Sequence, residues 1–555
     1  MYSARVAVAL LAVGMGCGFL WNCAPEELAY GPTQTGDASA GGGGSGGDAA
    51  TSDATAWPEI CGNGVDDDNN GKTDCEDPVC NEFACVPTAP AGWSGPYAVF
   101  AASPDTLPDC PDGLELVSDQ YRDLRYSPST CSACSCGNPT GLSCVATAAL
   151  SATDCASLTT TESLTGSCTT HGLGATLAAV QVSFDANGSC GPGTQPTPGK
   201  DTPSWASGYR ICKSKAPAAP AGCASGEVCA PSAAGAEACV ISAGDTACPA
   251  AFPDRRLVYA SQDDSRGCSA CSCSFSGGCS GTVRGYSDAA CGSQVFSVSA
   301  GCSATPNAQT LSMTTSSLDG SCVAGASTPN GCVLPATPTT MCCVAGADTC
   351  PSGKGPDMVR VPVAGGGSYC VDSTEVTNVQ YADFLATSPA PPTLPECAFK
   401  SNLTPGSTWP DPDLNEPVNF VDWCDAYAYC AWAGKRLCGA VGGGPVPTSA
   451  VATSAGQWYG ACSAGGSLEY AYGDQVVNGI CATTVVNVKA SPCCQGPYSD
   501  LYDMIGFMRE WVDSCTGTSG GSDNCFTMGR PKCTSNQAAN RSQRNAEIGF
   551  RCCAP

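Results

Sequence analysis

The sequence predicts a multidomain, disulfide-rich protein in which small β-rich cysteine modules precede a terminal domain of different make-up. Among its 555 residues stand 44 cysteines against one histidine, His171, and 66 glycines and 42 prolines beside only 13% charged residues. In addition, the run Cys131-Ser132-Ala133-Cys134-Ser135-Cys136 returns as Cys268-Ser269-Ala270-Cys271-Ser272-Cys273. Cysteines at this density, irregularly spaced and without histidine partners, read as disulfides and place folding in an oxidising compartment outside the cytoplasm. A Gly/Pro-rich chain with few charges reads as loop-rich modules. The net charge of −26 repels phosphate backbones and argues against a nucleic-acid partner. Any His-based triad would rest on His171 alone, which sits in a Thr/Gly-rich stretch and reads as an exposed loop residue.

Taken in order, residues 1–23 combine a positive start at Arg5 with an apolar run too short to span a bilayer, the make-up of a secretory signal. The segment closes on cysteine and resembles a bacterial lipoprotein signal, with either Cys23 or Cys17 as the lipidated residue; lipidating Cys23 and removing Cys17 leaves an even set of cysteines. That implies an exported protein held in the cell envelope, at the outer membrane or cell surface, with the membrane as partner through the anchor; simple secretion after ordinary signal cleavage is the alternative, since a short apolar signal is common to both routes. Residues 24–58, rich in Gly, Ser and Ala, bury too little apolar surface to order and read as a tether.

Residues 59–86 place oxygen ligands at the spacing of a calcium loop. Asp66, Asp68 and Asn70 fall at positions 1, 3 and 5, Gly71 at the turn, the Lys72 carbonyl at 7, Asp74 at 9 and Asp77 at 12. The expected cofactor here is calcium, with a merely solvated acidic turn as the alternative reading, and Cys61, Cys75, Cys80 and Cys85 staple a piece too small for its own core. Residues 110–213 and 248–344 form an internal repeat. Cys110 corresponds to Cys248, and Cys144, Cys155, Cys168 and Cys190 to Cys279, Cys291, Cys302 and Cys322. Short Thr/Val/Ser-rich runs such as Gln181-Val182-Ser183-Phe184 predict a disulfide-tied β-module used twice. Residues 214–247 read as a linker with a small cysteine insert at Cys223, Cys229 and Cys239.

In the terminal part, 350–555, the stretch Glu416 to Leu437 predicts a helix. Asp422 caps its first turn, Asp425 adds charge where the dipole favours it, and Gly434 supplies a left-handed stop. Trp423, Ala426, Tyr427 and Cys430 make one face apolar. Around it stand Met358-Val359-Arg360-Val361-Pro362, Cys370-Val371-Asp372, Glu375 through Tyr381, Leu501-Tyr502-Asp503-Met504-Ile505-Gly506, Glu510-Trp511-Val512 and Ile548-Gly549-Phe550-Arg551. In this order the blocks resemble the formylglycine-generating enzyme (sulfatase-modifying factor) family. The resemblance implies an α/β, C-type-lectin-like fold with little regular secondary structure.

Active members of that family hold copper(I) between two cysteines and oxidise a sulfatase cysteine to formylglycine. By their flanking landmarks, Gly520-Gly521-Ser522 before and Arg541-Ser542 after, the matching positions are Cys525 and Cys533, the candidate catalytic copper ligands. They are separated by seven residues, Phe526 to Lys532, a wider gap than the family's. The family's Gly-Asn-x-Trp-Glu-Trp block, a source of calcium ligands, reads Gly506-Phe507-Met508-Arg509-Glu510-Trp511 here. The histidine-built iron site of related sulfoxide synthases has no counterpart in a chain with one histidine. These departures favour a cell-envelope lipoprotein whose terminal domain is a non-catalytic binding module for a protein or glycan. The rival reading is a copper-dependent oxidoreductase converting a sulfatase cysteine to formylglycine, with copper as cofactor only in that case. A purely structural stalk would explain the cysteine modules but not the retained blocks.

Overall fold

The computed structural model describes residues 58–555 apart from 174, 216–221, 347–348, 407–408 and 517–523. The signal with Cys17 and Cys23, the tether and the Gly520-Gly521-Ser522 turn lie outside the described residues. The described chain is mostly β, with three α-helices and 21 disulfides. Every cysteine from Cys61 onward is bridged.

Six strands close a barrel in the order Ser204–Ser214, Ser94–Ala102, Ala236–Ala243, Val333–Cys343, Asp254–Asp264 and Leu114–Arg125. Three come from each copy of the repeat, and exchanging the copies maps the barrel onto itself. At one seam Ala98 lies opposite Ala238, and at the other Tyr121 lies opposite Tyr259. The interior is filled by Val99, Ile211, Val258, Met341 and the Cys239–Cys343 bridge.

Two further sheets are built on longer strands, Thr140–Ser151 with Ala179–Ser189 and Cys273–Tyr286 with Thr310–Ala324. The alternation that buries Ala146, Ala148 and Leu150 on one strand and Val180 and Val182 on the next gives each sheet one apolar face. The two faces share a single core that also takes in Val283, Leu311 and Met313. Each sheet is completed by a strand of the other copy: Gly301–Ala304 pairs with Ala179–Ser189, and Thr169–Thr170 pairs with Thr310–Ala324.

The disulfides obey the same two-fold relation. Cys131–Cys268, Cys134–Cys271, Cys136–Cys273, Cys144–Cys279 and Cys190–Cys322 join counterparts directly. Cys155–Cys302 and Cys168–Cys291 join each cysteine to the counterpart of the other's position. A cysteine near a two-fold axis meets its own counterpart, whereas one away from it meets a different residue and the pairing occurs twice. The two copies are therefore one intertwined body rather than two successive modules.

This changes the boundaries expected from sequence. The span 214–247 is not a linker: Glu227–Pro231 pairs with Phe83–Pro87, and Ala236–Ala243 is a barrel strand. Each copy accordingly begins well before residues 110 and 248. The earlier boundaries followed the cysteine pattern, and Ser94–Ala102 contains no cysteine to reveal it. His171 is half-buried beside the exchanged strand Thr169–Thr170, where Nε2–H donates to the Ala308 carbonyl at 2.7 Å, so it is not a free loop side chain.

The terminal domain has two four-stranded sheets. One runs Met358–Pro362, Ser368–Asp372, Cys552–Ala554 and Arg436–Leu437; the other runs Asn536–Asn540, Asn524–Met528, Arg509–Thr516 and Ile548–Phe550. Helix α1 spans Asn378–Ala386, α2 Trp423–Trp432 and α3 Gln457–Cys462. Asp422 and Asp425 form a reciprocal capping box at the start of α2, and Gly434 adopts φ +74° just beyond its end. The domain is fastened to the barrel by Cys332–Cys493 and by Ser499, whose backbone N–H donates to Asp123 at 2.9 Å and whose carbonyl accepts from Arg122 at 3.2 Å.

Candidate functional site

The positions the sequence singled out fall in separate places, the two cysteines in the terminal domain and the carboxylates in the acidic loop. Cys525 lies on Asn524–Met528, directly across from Cys515 on the neighbouring strand, and is bonded to it. Cys533 follows that strand and is bonded to Cys462 at the end of α3. Both are fully buried but in different apolar clusters: Cys525 packs with Trp423, Trp511 and Phe550, Cys533 with Trp458, Val512 and Met528. Copper(I) is held by thiolates. Sulfurs in two separate disulfides offer none, and the fold does not bring these two together.

Glu510 is clamped by neighbours rather than open to an ion. Its two oxygens accept from Arg551 at 2.7 and 2.8 Å, and one also accepts the indole N–H of Trp458 at 2.8 Å. Arg551 is itself fully buried and donates further to the carbonyls of Asp372 and Tyr502. Removing one partner of such a pair strands a charge, at a cost of roughly 3–5 kcal/mol. Burial pushes Glu375 well above the usual carboxylate range, with Asp503 reinforcing it against the opposing pull of Arg551. The adjoining cavity, lined by Glu375, Asp503 and Phe507, is only about 30 Å³.

In the acidic loop the oxygens of Glu59, Asp66 and Asp68 lie within 4.8 Å of one another. Glu59 stands outside the twelve-residue pattern, so spacing could not reveal it. Asp66 also accepts from the Asn70 and Gly71 amides, and Asp68 from the Asn70 amide. Asn70 gives its side-chain N–H groups to Asp68 and Asp77, and Asp77 caps the Val79 amide at 2.8 Å. Asp74 departs from its expected position-9 role: it is fully buried, and its oxygens accept the amides of Gly62, Asn63 and Gly64. Lys72 donates its amide to Asn70 Oδ1, which turns that amide oxygen back onto the loop. Glu59 itself accepts the Asp67 and Asp74 amides at 2.9 and 3.0 Å, and the carboxylates that could face one hard cation together are Asp66, Asp68 and Glu59, with Asn70 and Asp77 bracing the loop.

A buried four-ion cluster at the start of α2 was not anticipated. Lys400 Nζ and Arg544 both donate to Asp422 at 2.9 Å, and Arg544 also donates to Asp425 at 2.8 Å. Lys400 completes the square on Asp425, and three of the four side chains are at most 2% exposed. Asp422 and Asp425 were legible as caps, but their cations come from 22 and 122 residues away, where nothing local marks them.

The described chain is a disulfide-locked, mostly β protein. Residues 358–554 match the model of the Sulfatase-modifying factor enzyme 1-like domain, and the C-terminal part of the chain is such a domain. Among solved structures the chain is similar to CarF, at 17% identity over 36% of this chain and 98% of that one, with TM-score 0.26. It is similar to PvdO from Pseudomonas aeruginosa at 17% identity over 36% and 90%, with TM-score 0.25. A third is Treponema denticola variable protein 1, at 17% identity over 37% and 92%, with TM-score 0.22. No curated protein matches the chain. The 21 disulfides mark an exported protein. Among the described residues no helix is long and apolar enough to cross a membrane.

Proposed function

We propose that this is a cell-envelope lipoprotein whose terminal domain is a non-catalytic binding module for a protein or glycan, held on a covalently tied scaffold. The observation that carries the reading is the bonding of Cys525 to Cys515 and of Cys533 to Cys462, in two different apolar clusters. With both sulfurs in disulfides, a copper route would first have to reduce two buried bonds. The anchor is Cys23 or Cys17, and calcium, held through Asp66, Asp68 and Glu59, stiffens the acidic loop beyond the tether.

Mass spectrometry of the unreduced, exported protein tests the whole reading. The expected outcome is a lipid adduct on one of the first two cysteines, one calcium and no copper per chain, and peptides joining Cys515 to Cys525 and Cys462 to Cys533. Free thiols at Cys525 and Cys533 together with one bound copper(I) would replace this reading with the copper-dependent oxidoreductase. Absence of the lipid or of calcium would remove the anchor or the cofactor, each independently.

A further inference from the structure

Between the barrel and the terminal domain lies a cleft of about 670 Å³, a size suited to a small ligand at a domain boundary. In a chain with 24 Lys and Arg against 50 Asp and Glu, its walls carry Arg122, Arg255, Arg256, Arg360 and Lys489. Carboxylates line it as well, so its chemistry depends on which hydrogen-bonding capacity is already engaged.

The carboxylates facing inward are largely occupied. Arg256 holds Glu237 and Asp254, and Asp123 accepts from Ser207 Oγ at 2.8 Å and from the Ser499 amide at 2.9 Å. Arg255 is anchored on Asp245 and on the Thr246 carbonyl. Three cations are less engaged. Arg360 reaches the two oxygens of Asp254 at 3.4 and 3.5 Å, long contacts to a carboxylate that Arg256 already holds at 2.5 Å. Lys489 Nζ lies 5.4 Å from the centroid of the Tyr502 ring and makes no ion pair among the described residues. Arg122 donates to the Ser499 carbonyl at 3.2 Å and stands 3.8 Å from Asp500; its Nε, unpartnered among the described residues, is buried, so it adds positive charge to the wall rather than an open donor. The unused capacity of the cleft is thus donor capacity on Arg360 and Lys489, beside one open carboxylate, Asp357, which stands 3.8 Å from Arg255.

We propose that this cleft binds a small molecule through an oxyanion, either a carboxylate or a tetrahedral sulfate or phosphate group, contacted by Arg360 and Lys489 from the terminal domain, with Arg122 of the barrel adding positive charge to the wall. Guanidinium forks suit such groups because two parallel N–H donors meet two oxygens. The site does not depend on whether the terminal domain is catalytic, and it lies apart from Cys525 and Cys533.

The test uses the full-length protein with its disulfides intact. Calorimetric titration and thermal unfolding are run with sodium sulfate, sodium phosphate and sodium glucuronate, each against sodium chloride at matched ionic strength. At least one of the three should bind at a single site and raise the melting temperature above the chloride control, and the anion that does so identifies the group. Arg360→Ala with Lys489→Ala should weaken binding at least tenfold, whereas Lys213→Ala, on the barrel outside the cleft, should leave it unchanged. Should the double variant unfold, Lys489→Gln, on an exposed side chain, should still weaken binding several-fold. Binding of none of the three beyond chloride, or unchanged binding in a folded variant, would overturn the proposal.

Discussion

Burial pushes the Asp513 carboxyl up to about 6, against the opposing pull of Arg436 and Arg541 and with help from Glu396. Asp372 is moved to about 6 by burial in the same way, although Lys435 stands 2.6 Å from it. For an acid whose folded pKa lies above its unfolded one, the native chain keeps a proton that the unfolded chain releases. The stabilisation is complete below about pH 4 and is lost as the pH rises towards 6. The melting temperature should therefore decline between pH 4 and 6, and Asp513→Asn, which keeps the volume but cannot ionise, should flatten part of that decline. The expected contribution is about 2 kcal/mol, from the size of the shift and some exposure of the side chain. An unchanged pH slope in D513N would mean that Asp513 titrates alike in both states. Such residues were hard to read from sequence because their surroundings are not local. Nothing beside Glu510 in sequence marks its partner: Arg551 lies 41 residues downstream and takes both oxygens.

Among the elements, α2 was legible because its signals are adjacent in sequence: Asp422 and Asp425 at the start, Gly434 after the end, and an apolar face between. The hairpin of Arg509–Thr516 and Asn524–Met528 was not, since its position depends on which cysteine Cys525 takes. Cys515 stands ten residues away and directly across the ladder. Closing so short a loop removes unfolded-state freedom worth roughly 3 kcal/mol. Cys515→Ala with Cys525→Ala should accordingly lower the unfolding free energy by about 2–3 kcal/mol while Cys462–Cys533 remains intact, as read by denaturant titration and peptide mapping. A loss below about 0.5 kcal/mol, well under the loop-closure value, would show that the sheet alone fixes this hairpin.

For the whole molecule, the repeat was visible in the sequence and its meaning was not. Matching Cys131-Ser132-Ala133-Cys134-Ser135-Cys136 with Cys268-Ser269-Ala270-Cys271-Ser272-Cys273 identifies two copies, and two separate modules with internal disulfides satisfy that pattern as well as one intertwined body does. What distinguishes them is whether each cysteine bonds within its copy or to the other, a property of the axis between the copies. Nine bridges cross from residues before 216 to residues after 221, including Cys75–Cys229 and Cys85–Cys223 beside the acidic loop. A specific protease site placed at Pro217 to Pro220 and then cut should leave a chain that migrates as one species without reductant and as two with it. The cut protein should also keep its melting temperature within a few degrees, because the barrel, the exchanged strands and the shared core draw on both fragments. Two separate modules with internal bridges would instead release the N-terminal fragment as soon as the chain is cut, with no reductant present.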